Sequence, residues 1–205
     1  MVINTNISAM NGARLLAESS SMLSKSLARL SSGSKINSPE DDAAGLAVST
    51  RFDAQINRIG AAKANVGNAI SFNQTQDGFL KKVTKALDRM SELSILAQDV
   101  TKTDTDRGLY DAEFQELSAY ITDVADKEFN GVALFGGDAL NVTIDEDGGT
   151  FSMTGVDLGA GAYTAATGSS VTSVANATTA MTNVTAAIDQ LASDTPGQIE
   201  MGRIE

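Results

Sequence analysis

Cysteine, histidine and tryptophan are all missing from this chain of 205 residues. Without Cys there is neither a disulfide nor a thiolate metal site. Without His the commonest general base and the commonest metal ligand are both lost, which weighs against catalysis. Aromatic residues make up only 5% of a chain that is 42% hydrophobic, so a core packed through Leu, Ile, Val, Met and Ala is favoured over one built on large rings. Proline occurs twice, at Pro39 and Pro196, leaving long stretches free to be helical. No run of about 18 apolar residues exists, so no membrane-spanning helix is expected. Met1 to Asn6 shows no basic region followed by an apolar run, so no secretory signal peptide is read there. Composition alone leaves the compartment open.

The net charge of −11 is unevenly placed. Residues 1–100 hold 11 Lys/Arg against 9 Asp/Glu, and residues 101–205 hold 4 against 17. An acidic chain is a poor ligand for nucleic acid or an anionic membrane, and neither is expected as a partner.

Residues 5–31 carry Leu16, Leu23 and Leu30 at seven-residue spacing with Leu27 between them, on a helix otherwise filled by Ser, Lys and Arg. So narrow a stripe needs a partner helix. Gly33 supplies a C-cap. Ser38, Pro39 and the carboxylates of Glu40, Asp41 and Asp42 predict a helix start, with Ser38 as cap and Pro39 at the first position. From there the pattern runs to about Val100, through Phe52, Ile56, Ile59, Val66 and Ile70 and then Val83, Leu87, Met90, Leu93 and Ala97, most of them expected as core within the chain. Thr101 to Asp106 caps a third helix, striped by Tyr110, Phe114, Leu117, Ile121 and Val124 and ended by Asn130-Gly131. Leu140, Val142 and Ile144, a turn at Glu146 to Gly149, and Phe151 and Met153 predict a β-hairpin. Residues 159–180 hold no charge, are rich in Gly, Ala, Ser and Thr, and read as a loose loop or weak strands rather than core. A last helix is expected from Thr178 to Leu191 through Met181, Val184 and Ile188, interrupted near Ser193 by Thr195-Pro196-Gly197. The predicted class is mainly α: an elongated antiparallel helical rod, coiled-coil-like, with a small β-hairpin.

The segment from Leu30 to Phe52, LSSGSKINSPEDDAAGLAVSTRF, resembles the N-terminal core motif of bacterial flagellins. The opening VINTN, LDRMSEL from Leu87 to Leu93, AEF from Ala112 to Phe114 and EFNG from Glu128 to Gly131 match landmarks of the same family in order, apart from a one-residue shortening near Asp126. The resemblance covers about residues 1–135, and weakly residues 178–205. It implies four regions: a filament-core helix and linker over 1–38, the long and antiparallel third helices over 39–135, a hairpin with a short variable segment over 136–177, and a first C-terminal helix over 178–205. It implies a structural subunit of an extracellular filament with no enzyme activity and no cofactor or metal. The implied partners are other flagellin subunits, the flagellar export machinery, and hook-associated and cap proteins. Family members leave the cell unfolded through the flagellum's own channel, which accommodates a missing signal peptide. Leu16, Leu23, Leu27 and Leu30 become the self-assembly helix. Arg89, Leu93 and Glu113 match the surface that Toll-like receptor 5 binds in flagellins, although Ser91 stands where a basic residue is common. Flagellins continue past the first C-terminal helix into a second one, which pairs with the N-terminal helix that residues 5–31 match. On that basis the chain is expected to be a fragment, mobile over residues 1–36 and unable to form filaments by itself. A hook–filament junction protein, and a secreted helical binding module or adhesin, are the alternative readings.

Other chemistry finds little support. Glu40, Asp41 and Asp42 are explained by a helix N-terminus, and Asp145 to Gly149 lacks the alternating ligands of a calcium loop. A metallopeptidase insert of the HExxH type is impossible without His.

Overall fold

The computed structural model describes residues 6–194, which fall into two compact units dividing between Arg58 and Ile59.

In the first unit, helix α1 runs Ile7–Ser32. It is opened by the Asn6 side chain, which accepts the Ala9 amide at 3.1 Å, and is closed by Gly33 at φ 68°. No residue of α1 is buried. The next helix, α2, runs Ala43–Gln98 and so starts four residues after the expected Pro39. Ser38 to Asp41 forms a turn instead, closed by the Asp41 amide on the Ser38 carbonyl. Asp42, not Ser38, caps the helix by accepting the Gly45 amide at 2.8 Å. The chain bends here because the Asp41 carboxylate is drawn to Lys25 and Arg29 of α1, which a helix already begun at Pro39 has no slack to allow.

The apolar stripe of α2 changes role along its length. Phe52, Ile56 and Ile59 are 58%, 64% and 49% exposed, not the core that their spacing suggests. Val83, Leu87, Met90, Leu93 and Ala97 are fully buried. The difference is partners: only the later turns have other helices packed against them.

Helix α3 (Asp104–Ala125) is opened by a capping box, in which Thr103 and Asp106 each accept the other's backbone amide. Arg107 reaches back to the end of α2 and donates to the carbonyls of Ala97 and Asp99 at 2.9 and 3.0 Å, satisfying acceptors that a helix end leaves free. The helix ends at Ala125, before Asn130-Gly131. Those two residues instead turn a two-residue hairpin between β1 (Glu128–Phe129) and β2 (Val132–Ala133), with φ 52° and 78°. Positive φ at both positions is the requirement of the tight hairpin turn for which Asn-Gly is the preferred pair.

Strands β3 (Leu140–Thr143) and β4 (Thr150–Met153) form the expected second hairpin, with Leu140 opposite Met153 and Val142 opposite Phe151. Gly155 follows where a Cβ would lie 2.4–2.6 Å from the backbone of Gly137 and Asp138, so only glycine fits. Residues 159–180 are not a loose loop. Helix α4 (Gly161–Thr167) buries Tyr163 and Ala166, Val171 is buried beyond it, and helix α5 (Val174–Asp194) begins four residues before Thr178. Small residues let α4 and α5 approach closely. Tyr163 donates its hydroxyl to Asp194 at 2.6 Å, and Asn183 donates to the Ala165 carbonyl at 3.3 Å. The interruption expected at Thr195-Pro196 lies outside the described residues.

One core unites the second unit. α3 runs antiparallel to α2, since Arg107 meets Ala97, Glu113 meets Arg89 and Phe129 beyond the helix meets Phe72. α5 is antiparallel to α2 as well, with Gln98 on the Ala177 carbonyl and Ser91 on the Met181 sulfur. Leu87, Met90, Phe114, Ile121, Val184 and Ala187 meet between them. Each large side chain buried there stabilises by about 1.5–3 kcal/mol relative to exposure.

Candidate functional site

A polar helix with an exposed leucine row is the most prominent surface. Leu16, Leu23, Leu27 and Leu30 are 72%, 62%, 56% and 80% exposed. Ile7, Met10, Leu15 and Met22 of α1 are exposed as well. Apolar surface concentrated on one helix is a site for association, because covering it releases the water it orders.

The second candidate is the Arg89, Leu93 and Glu113 set. Arg89 Nε donates to Glu113 Oε1 at 2.6 Å and Nη2 to Oε2 at 2.9 Å, a two-pronged pairing across α2 and α3. Nη1 also donates to Glu92 at 2.7 Å. The Glu113 hydrogen bond raises the Arg89 guanidinium above its ordinary range, and the same bond holds the Glu113 carboxyl below its own. Both side chains are roughly half exposed. Leu93 departs from the expected arrangement. It is fully buried in the core of the second unit and so cannot enter a partner's pocket from the surface. It lies four residues from Arg89 but points to the buried side of α2, where α3 and α5 meet it.

The acidic run at Glu40 to Asp42 is explained differently from the sequence reading. Asp42 caps α2, and Asp41 pairs with Lys25 and with Arg29 at 3.2 Å. Sequence reasoning missed that cluster, though Lys25 and Arg29 stand four apart on α1 and can face one carboxylate together. At the β3–β4 turn, Asp145 Oδ1 accepts the amides of Asp147 and Gly149 at 3.0 and 2.6 Å, tying down the loop. Among the described residues no three His, Cys, Asp or Glu side chains gather as a metal site, and no helix is long and apolar enough to cross a membrane.

Residues 3–139, more than half of the chain, match the model of the bacterial flagellin N-terminal helical region. The chain belongs to the bacterial flagellin family. It is 42% identical over 127 residues to the flagellar filament 41 kDa core protein of Borreliella burgdorferi, covering 62% of this chain and 38% of that one. It is 36% identical over 163 residues to the B-type flagellin of Pseudomonas aeruginosa, covering 80% of this chain and 31% of the relative. Among solved structures, Bacillus cereus flagellin superimposes with a TM-score of 0.59 at 25% identity, over 68% of this chain and 83% of that one. The chain thus spans under two fifths of the length of these two curated relatives. Of the five flagellin landmarks read from the sequence, Leu30 to Phe52 runs from the end of α1 into α2, Leu87 to Leu93 lies on α2, Ala112 to Phe114 on α3, and Glu128 to Gly131 forms β1 and its turn.

Proposed function

We propose that this protein is a structural subunit of the bacterial flagellar filament, outside the cell, that assembles with further flagellin subunits and serves motility without catalysing a reaction. The single observation that carries the reading is α1: a capped 26-residue helix with four leucines in a row and no buried residue. A helix of that composition gains its stability from a neighbour. Membership of the flagellin family supports flagellin subunits as that neighbour. The partners that follow are the export machinery that delivers subunits and the hook-associated and cap proteins at the two ends of a growing filament.

The test replaces Leu16 and Leu23 together by Ser in the cells that make the protein. Both side chains are exposed, so the fold of the second unit is expected to survive. Electron microscopy is expected to show cells without filaments of this protein, while circular dichroism of the purified variant stays helical. Normal filaments built from the variant contradict the proposal.

A second reading is favoured by the exposed Arg89–Glu113 pair: recognition of this face by Toll-like receptor 5. Two charged groups already oriented toward one another form a preorganised polar patch. Leu93 supports it only indirectly, by packing α2 against its neighbours.

A further inference from the structure

Among the described residues of the first unit nothing apolar fastens α1, because none of its side chains is buried. What joins its last turns to the segment leading into α2 is polar and centres on one carboxylate. Asp41 is 6% exposed at its side chain, paired with Lys25 Nζ and with Arg29 Nη2, and it accepts the Asn37 amide at 3.4 Å. Lys25 and Arg29 come from α1, Asn37 from the connecting segment and Asp41 from the turn before α2, so three stretches of chain converge on two oxygens. The segment is braced on both sides. Ser32 donates to Asn37 Oδ1 at 2.8 Å, Ser34 donates to the Ile36 carbonyl at 2.9 Å, and Asp42 is held separately by the Gly45 amide.

We propose that Asp41, Lys25 and Arg29 form a charge latch that fixes the last two turns of α1 against residues 34–42 and so sets the direction in which the leucine row is presented.

The energetics favour a latch over a passive surface pair. Arg29 Nε is buried with no acceptor among the described residues, so Asp41 is the anion that compensates a guanidinium already partly stripped of water. Removing Asp41 leaves that cation without its counter-charge, and the side chain then regains solvent by swinging away. Loss of one carboxylate is therefore expected to undo contacts on all three stretches together. The Lys25 hydrogen bond, reinforced by the Asn37 amide and by the charge of Arg29, holds the Asp41 carboxyl below its ordinary range. A depressed folded-state value means that the latch contributes above the ordinary aspartate range and is lost only as pH falls through the lowered value. The groups facing Asp41 are Lys25, Arg29 and the Asn37 amide, and each favours the ionised form. The latch is accordingly closed at neutral pH and opens by exchange of residues or as pH falls through that lowered value.

Because the chain has no cysteine, a pair of spin labels is placed without background, by Ser31→Cys on the last turn of α1 and Ser49→Cys on α2. Both positions are exposed, and the labels are read in the full chain. With the latch intact a narrow distance distribution is expected. Asp41→Asn is expected to widen it at least about two-fold and to speed exchange of the Asn37 amide by roughly ten-fold or more. The paired change Lys25→Met and Arg29→Met, which keeps Asp41 and the aliphatic stems, is expected to do the same from the other side. Glu40→Gln removes the same charge next door and is expected to leave the distribution unchanged. A distribution that is already broad in the parent, is unaltered by both latch variants, or is widened equally by Glu40→Gln overturns the proposal.

Discussion

Leu93 and Arg89 stand four residues apart on α2 and act in opposite environments. Leu93 is fully buried, so its replacement by Ala removes three carbon groups from a packed interior. Leu93→Ala is expected to destabilise the second unit by about 2–5 kcal/mol, measured by chemical denaturation of the purified protein. A loss well under that range would show the core to be loosely packed there. Arg89 is held instead by charge. With Arg89→Ala, the Glu113 carboxyl loses the hydrogen bond that depresses it and is expected to titrate higher, toward its ordinary value, in side-chain NMR. Since the depressed value belongs to the folded state, the pair's contribution is present above the ordinary glutamate range and lost as pH falls through the lowered one. The same substitution is expected to weaken binding to Toll-like receptor 5 while the helical spectrum is kept. An unchanged Glu113 titration contradicts the pairing, and unchanged affinity contradicts the recognition reading.

At the scale of elements, the legible parts are those with local rules. Thr103 and Asp106 stand three apart, as a capping box requires, and the structure contains it. Thr103→Ala is expected to cost about 1 kcal/mol, read as a lower denaturation midpoint with the slope unchanged. A null effect would mean that Arg107, which also bridges the α2–α3 turn, holds the junction alone. Alternation at Leu140 to Met153 likewise fixed both the existence and the pairing of β3 and β4. Elements that depend on distant partners were harder to read. The charge-free stretch 159–180 has a loop's composition, yet Tyr163, Ala166, Val171, Ala177 and Ala180 within it are buried in the common core. Asn130-Gly131 carried a correct signal assigned to the wrong event, since a dipeptide that turns a hairpin also looks like a helix stop. Ser38-Pro39 is a good helix start by local rules and was overridden by the pull of two cations from another helix. For the candidate surfaces, spacing located the leucine row of α1 and put Leu93 on the core stripe of α2, where it is buried; the surface placement of Leu93 came from the resemblance alone.

For the whole molecule, the two units divide the labour. The second unit has a continuous core from Ala69 to Leu191 and the buried side chains to hold itself. The first has caps, a polar latch and no buried apolar residue in α1. A first helix that is covered on assembly, as proposed above, accounts for both facts. Amide hydrogen exchange, followed by mass spectrometry, compares the dilute protein with the filament that the cells make. Peptides from residues 83–97 are expected to be protected in both states. Peptides from residues 7–24, ahead of the latch, are expected to exchange quickly in the dilute protein and roughly 100-fold or more slowly in the filament. Slow exchange of residues 7–24 already in dilute solution, or equal rates in the two states, would contradict the account.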